Sequence, residues 1–352
     1  MVRWTRRWYR FLVLSICLSF LYILSDFRNE RISKENDAAE SNIRSFRPEK
    51  HFTRSKVDLK SAIDTSPNRL LHINDFRFLK NASHVCNDKD VYLAAFVHSA
   101  PSNFEKRRVI RMTWAAKHSQ KQLRLKVVFL IGLPNNHSIQ SLLDREQAQF
   151  GDLVQANFID TYKNLTLKHL MGYKWILQFC NSSKFVMKAD DDAFIDVYKV
   201  VQVLKNSFDN LEEVPKNILS CSLFPDGTLT KREGKWSLSM SEYPFDTYPS
   251  YCSGVAYFAT PDVIYDLYKT ASEMKLIVWI DDLFVTGIVA SALRLRLQPL
   301  NLKFTYNDKD LRKWLARNDD KPSPYMVADI GYVDDWKFFM LKLWEKTSRV
   351  WK

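Results

Sequence analysis

Phe185-Val186-Met187-Lys188-Ala189-Asp190-Asp191-Asp192-Ala193-Phe194 is the stretch that decides how this chain is read. Its apolar part, residues 185–189, has the length and composition of a short buried strand. Three adjacent carboxylates repel one another and have poor strand propensity. Asp190, Asp191 and Asp192 therefore belong at the C-terminal end of that strand, facing a crevice. Oxygen donors this concentrated suit a hard divalent cation, Mn²⁺ or Mg²⁺, shared with substrate phosphates. A solvated turn or a helix cap is the plainer fate of an Asp cluster, and the neighbouring segments decide between the two.

Upstream, strand-like runs at 91–99 (VYLAAFVHS), Leu125–Leu133 and Leu153–Ile159 alternate with helical patterns at 105–118, 138–150 and 166–179. This rhythm predicts an α/β domain with a mostly parallel sheet flanked by helices. In such a sheet ligands bind beyond the carboxyl ends of the strands, where the Asp triplet falls. Downstream the pattern changes to a helix at 197–208, a short strand at 219–221 and an aromatic, loop-like stretch at 222–250. A strand at 255–259, a helix opened by Pro261, the pair Asp281-Asp282 and an apolar helix at 283–293 follow. The tail carries Trp314, Trp336, Trp344 and Trp351 among basic residues.

The N-terminus reads differently. Arg3, Arg6, Arg7 and Arg10 precede an uncharged apolar run at 11–24, flanked by the amphipathic aromatics Trp8, Tyr9, Tyr22 and Phe27. The run is shorter than the ~20 residues of an ordinary spanning helix, and no small-residue cleavage site follows it. An uncleaved signal anchor is expected, with residues 1–10 cytosolic and the remainder lumenal; a cleaved signal peptide is the alternative. Residues 25–85 are polar and weakly periodic and read as a stem, leaving 86–352 for the folded domain.

The formal charge of +12 invites a nucleic-acid reading. Residues 1–85 hold 16 Lys/Arg against 9 Asp/Glu, leaving 36 against 31 for the rest, so most of the excess lies outside the expected domain. No basic stripe interleaved with aromatics occurs, and a nucleic-acid partner is not expected. Cys86, Cys180, Cys221 and Cys252 are even in number and lack zinc-like spacing, which predicts two disulfides in an oxidising compartment without ranking the three pairings. Sequons at Asn81, Asn136, Asn164 and Asn181 agree with a lumenal address.

Ordered motifs then carry a resemblance. They are Ser99-x-Pro101; Arg107-x-x-Ile110-Arg111-x-Thr113-Trp114; Phe129-Leu130-Ile131-Gly132; Asp160-x-Tyr162-x-Asn164-Leu165-Thr166; Lys188-x-Asp190-Asp191-Asp192; Tyr251-Cys252-x-Gly254; and Asp281-Asp282 followed by Gly287. From about residue 90 to 290 the chain resembles the β1,3-galactosyltransferase family, whose members also transfer N-acetylhexosamines. The resemblance implies a Rossmann-like GT-A domain on a type II, single-pass Golgi membrane protein, and inversion at a UDP-sugar donor. The implied partners are UDP-galactose or UDP-N-acetylhexosamine and a glycan acceptor on protein or lipid; homo- or hetero-oligomers are compatible with it.

Residue by residue, the resemblance makes Asp192 the metal-bound aspartate, places Asp191 near the ribose and leaves Asp190 to support the loop. Asp282 matches the catalytic base, and a helix-capping role is compatible with it. Arg107 and Arg111 are expected at uracil or phosphate oxygens, with surface ion pairs as the alternative. Ser99, Lys188, Asp281, Tyr251 and Gly254 complete the expected donor site, and Trp114 is expected in the core. Three departures stand out: Asp281 where the family has Glu, Ala256 where it has glycine, and no histidine after His169 to complete a metal shell. Water or another oxygen then fills that place, or metal binding is weaker. The rival reading is a non-catalytic lumenal glycan-binding or partner-stabilising protein on the same fold. A metal-dependent phosphatase or nuclease lacks the His-rich shell of a two-metal site.

Overall fold

The computed structural model describes residues 76–88, 90–209 and 215–351. The expected cytosolic tail, the anchor at 11–24 and the stem as far as residue 75 lie outside the described residues. Among the described residues no helix is long and apolar enough to cross a membrane.

The strands are β1 (Phe78–Lys80), β2 (Leu93–His98), β3 (Leu125–Leu133), β4 (Leu153–Ile159), β5 (Phe185–Asp190), β6 (Ala193–Ile195) and β7 (Leu219–Phe224). Then follow β8 (Thr228–Leu229), β9 (Thr247–Tyr248), β10 (Tyr251–Ala259), β11 (Gln298–Pro299), β12 (Phe304–Thr305) and β13 (Val327–Asp329). The main sheet runs β1-β4-β3-β2-β5-β10-β7-β11. Its centre, β4-β3-β2-β5, is parallel as the alternation of strand and helix predicts. The sheet as a whole is mixed, which corrects the mostly parallel expectation. β10 lies antiparallel between β5 and β7, and β1 lies antiparallel on β4. The reason is local: β10 follows an aromatic loop rather than a crossover helix, and nothing in its own composition marks its direction.

Apolar residues cover both sheet faces. Phe96, Leu130, Trp175 and Tyr257 pack in the core on one side, and Val97, Phe129, Trp114 and Phe258 in the core on the other. The single helix expected at 105–118 is two, Phe104–Met112 and Lys117–Leu123. Thr113 leaves helical geometry, and its hydroxyl donates back to the Val109 carbonyl at 2.8 Å. The break swings Trp114 fully into the core, as expected for that residue.

Residues 76–85, expected outside the folded domain, pack onto it: β1 pairs with β4 and Phe76 is buried. The disulfides Cys86–Cys180 and Cys221–Cys252 tie this edge and the β7–β10 pair. The C-terminal chain returns to the middle of the molecule, with β13 pairing antiparallel to β6 directly after the Asp triplet. Trp351 donates its indole N–H to Asp196 at 3.1 Å, and Asp196 caps the helix Val197–Leu204 through the Lys199 N–H at 3.0 Å.

Candidate active site

The parallel strands deliver their C-terminal ends to one cavity of ≈ 770 Å³, within the usual size range of ligand pockets, roughly 300–1,000 Å³. β2 contributes His98 and Ser99, β5 contributes Asp190 to Asp192, and the turn after β4 contributes Asp160. β10 brings Tyr251 and Gly254, and the start of the helical segment Leu283–Val289 brings Asp281 and Asp282.

The three adjacent aspartates face different partners. Asp191, buried, accepts from Ser99 Oγ and Asn103 Nδ2, each at 2.8 Å on Oδ2. Its other oxygen faces Lys106 Nζ at 3.1 Å, and the same ammonium lies 2.9 Å from Asp192 Oδ2. Burial alone would lower the Lys106 pKa, but the two carboxylates outweigh it and hold the amine protonated. Asp190 meets Lys188 Nζ at 2.6 Å. Burial and the Asp192 charge push the Asp190 carboxyl up while Lys188 pulls it down. With a third of its side chain exposed and an ammonium in contact, we assign the two residues as an ion pair. Lys188 also donates to the Gly254 carbonyl, so one buried cation ties β5 to β10.

Asp281 and Asp282, which line the same cavity, are set apart by their surroundings. Asp281 is buried among His169 Nδ1 at 2.7 Å, His98 Nδ1 at 3.6 Å and the Lys188 charge. Burial alone would raise its pKa, but Lys188 and the His169 bond outweigh that and hold it well below the usual carboxylate range. Burial, then repulsion from Asp281, pushes Asp282 up to about 7. Both Asp282 oxygens also accept backbone N–H groups: Leu283 at 2.8 Å, as a cap, and Gly254 at 2.9 Å. A side chain on Gly254 would stand 3.0 Å from Asp282 Oδ2, which is why glycine allows the strand to approach the acid. Two neighbouring carboxylates with pKa values driven apart mark an acid–base site, and Asp282 is the one tuned to neutral pH.

Among the described residues, the cluster with metal-ligand geometry is His98, His169 and Asp281, away from Asp192. Both His169 nitrogens are already bonded, Nδ1 to Asp281 and Nε2 to Tyr257 Oη at 2.6 Å, and the Lys188 ammonium faces the trio. The cluster is an anchor for Asp281. The shorter Asp, where the resemblance leads one to expect Glu, is met here by an imidazole. Beside Asp192 the donors are oxygen only. Asp329 lines the same wall, its pKa raised by burial and by the Asp192 charge, and Gly331 approaches so closely that a Cβ there would sit 2.6 Å from Asp192 Oδ2. Asp192 and Asp329 thus bring carboxylate oxygens, the donor type a hard divalent cation takes, to the same part of the cavity.

Arg107 and Arg111 do not line the cavity, which corrects their expected place at the donor; the alternative of ion pairs holds, with the pairs largely buried rather than on the surface. Arg107 is wholly buried in a bidentate pair with Glu146 at 2.7 and 2.9 Å, and it donates to Ser99 Oγ at 2.9 Å. Arg111 pairs with Glu146 and Asp152 at 2.7 Å each and lies over the Phe129 and Phe150 rings. These guanidinium groups clamp helix Phe104–Met112 to helix His137–Phe150, and Arg107 reaches the site by holding Ser99 and the Ala100 carbonyl. Ser99, Lys188, Tyr251, Gly254, Asp281 and Asp282 are gathered as expected. Lys106, Asn103, His98, His169 and Asp329 were not foreseen; single polar residues without a motif leave no local signal. Of the sequons, Asn81, Asn136 and Asn181 are exposed, while Asn164 donates Nδ2, the atom a glycan would need, to the Ile159 carbonyl at 2.8 Å.

A mixed sheet flanked by helices brings an acidic strand end, Asp190 to Asp192, and the Asp281-Asp282 pair to one cavity, an arrangement suited to group transfer. The galactosyltransferase family model matches residues 105–301, and the chain belongs to that family. It is 33% identical over 263 residues to beta-1,3-galactosyltransferase 5 of Gorilla gorilla gorilla, covering 75% of this chain and 86% of the relative. It is 32% identical over 242 residues to UDP-GalNAc:beta-1,3-N-acetylgalactosaminyltransferase 1 of Mus musculus, with 67% and 71% covered. A Xenopus laevis relative, lactosylceramide 1,3-N-acetyl-beta-D-glucosaminyltransferase A, is 34% identical over 227 residues, with 62% and 59% covered. The protein is a β1,3-glycosyltransferase.

Proposed function

We propose that the protein transfers galactose or an N-acetylhexosamine from a UDP-sugar to a hydroxyl of a glycoprotein or glycolipid glycan, with inversion, as a signal-anchored enzyme of the Golgi lumen. The observation that carries this reading is Asp282. It is placed by the Gly254 and Leu283 N–H groups, raised to about 7 by burial and Asp281, and lines the cavity that Asp192 also lines. Its carboxylate takes the acceptor proton as the hydroxyl oxygen bonds to the anomeric carbon. The bond from that carbon to the diphosphate oxygen breaks, and its electron pair leaves with UDP. Attack from the face opposite the leaving group inverts the centre.

Asp192 and Asp329 would hold Mn²⁺ or Mg²⁺, whose positive charge stabilises the leaving diphosphate. Asp191 is held by Ser99 and Asn103, and Lys188 spans Asp190 and the Gly254 carbonyl; together they keep the two walls in register. Tyr162, Trp236 and the stacked pair Phe224–Tyr251 form an aromatic rim that suits an acceptor sugar. The test is a panel of UDP-sugars on mixed glycan acceptors with Mn²⁺, with anomeric configuration of the product read by NMR. Glycan binding without turnover on any pair would favour the non-catalytic reading instead.

A further inference from the structure

Lys106 stands in the first turn of helix Phe104–Met112 and reaches into the cavity with its side chain 23% exposed. Its ammonium bridges Asp191 Oδ1 at 3.1 Å and Asp192 Oδ2 at 2.9 Å. Asp191 Oδ2 is already shared by Ser99 and Asn103, so Lys106 holds the carboxylate oxygen of Asp191 left over and one oxygen of Asp192, both residues of the cavity wall. A divalent ion, were it held by Asp192, would need that carboxylate's oxygens as ligands. An ammonium bonded to the same carboxylate is repelled by that ion at short range, so the two cations weaken each other's hold on it.

We propose that Lys106 and the divalent cation compete for the Asp191/Asp192 pair, and that Lys106, once displaced, binds the donor diphosphate. The inference rests on the metal- and UDP-dependent reading above. The cation entering alone has to break the Lys106 ion pair. A nucleoside diphosphate arriving with it supplies the freed ammonium with a new anion at the end of a flexible four-carbon stem. Lys106 thereby couples the two ligands: each binds better when the other is present, by one shared factor.

The test measures Mn²⁺ affinity of the lumenal domain, with and without UDP, by EPR of the free aquo ion, for wild type, Lys106→Met and Lys106→Arg. Removing a partly exposed ion pair that the cation must break should tighten Mn²⁺ binding in the absence of UDP by about tenfold in Lys106→Met. UDP affinity at saturating Mn²⁺ should fall, so the coupling factor shrinks, and Lys106→Arg should restore it. A Lys106→Met protein with unchanged or weaker Mn²⁺ affinity without UDP overturns the competition while leaving the metal-dependent reading intact. If neither wild type nor Lys106→Met binds Mn²⁺ with or without UDP, both fail. Melting curves of the three proteins confirm that each is folded.

Discussion

Asp282→Asn is the sharpest test of the proposed chemistry, and the structure sets its magnitudes. In the wild type the carboxyl is raised to about 7 by burial and by Asp281. A group that must be ionised to accept a proton is about half active at pH 7, a tenth at pH 6 and a hundredth at pH 5. The logarithm of kcat/KM should therefore rise with unit slope to about pH 7 and level off above it. Asparagine removes this limb and lowers turnover by roughly 10²–10⁴-fold, the contribution of a positioned proton acceptor. The substitution also has a structural cost. Both Asp282 oxygens accept backbone N–H groups, from Leu283 and Gly254, and an amide can satisfy only one of them. The other N–H is left facing an NH₂, at a cost of about 1–3 kcal/mol, or roughly 2–4 °C of melting temperature per kcal/mol in a domain of this size. Relief of the repulsion with Asp281 offsets part of that. Ionising Asp282 also costs the wild type some stability as pH rises from the ordinary carboxylate range toward 7, because the fold favours the protonated form. Stopped and continuous UDP-release assays from pH 5 to 8.5, run beside thermal melts, read all of these quantities. A flat wild-type profile, or near-normal turnover in a folded Asp282→Asn protein, would refute the assignment.

Further outcomes follow from the same geometry. Asp281→Asn removes the charge that pushes Asp282 up, so the pH limb should move to lower pH, along with a stability loss visible in the melt; a limb that stays in place contradicts the coupling. Gly331→Ala forces a methyl to within 2.6 Å of Asp192 Oδ2, so Mn²⁺ affinity, measured directly, should drop about 10–100-fold without loss of fold. Breaking the Cys86–Cys180 bridge, with a sequence separation of 94 residues, should lower stability by roughly 3–5 kcal/mol on the chain-entropy account, checked by denaturant melts of the double Ala variant. Glycopeptide mapping should find glycans at Asn81, Asn136 and Asn181 and none at Asn164, whose amide nitrogen is bonded within the fold.

The chain's own residues determined much of this. Local patterns carry strands and helices, and the starts and ends of Leu125–Leu133 and Leu153–Ile159 coincide with the structure because apolar runs there are bounded by clear turn residues. The Asp triplet at a strand end and the Asp281-Asp282 pair before an apolar helix are likewise short-range signals, each contained in a few consecutive residues, while the even cysteine count is a matter of composition. Family motifs added expected roles to those positions, and the fold brings two of them, Asp282 and Gly254, into contact.

Contacts between distant segments were decided only by the folded chain. Whether a guanidinium meets a substrate or a buried partner depends on what lies across from it, and Glu146, 39 residues away from Arg107, took that arginine out of the cavity. The antiparallel entry of β10, the pairing of β13 with β6 and the arrival of Asp329 and Gly331 at Asp192 are products of topology, with no mark in the local sequence. Lys106 is the clearest case. As a single basic residue in a helix turn it reads as solvated surface; only packing that helix against the end of β5 places its charge between two carboxylates. Electrostatic energy depends on distance and burial rather than on sequence separation, so the tuning of this site was settled when the strands closed around it.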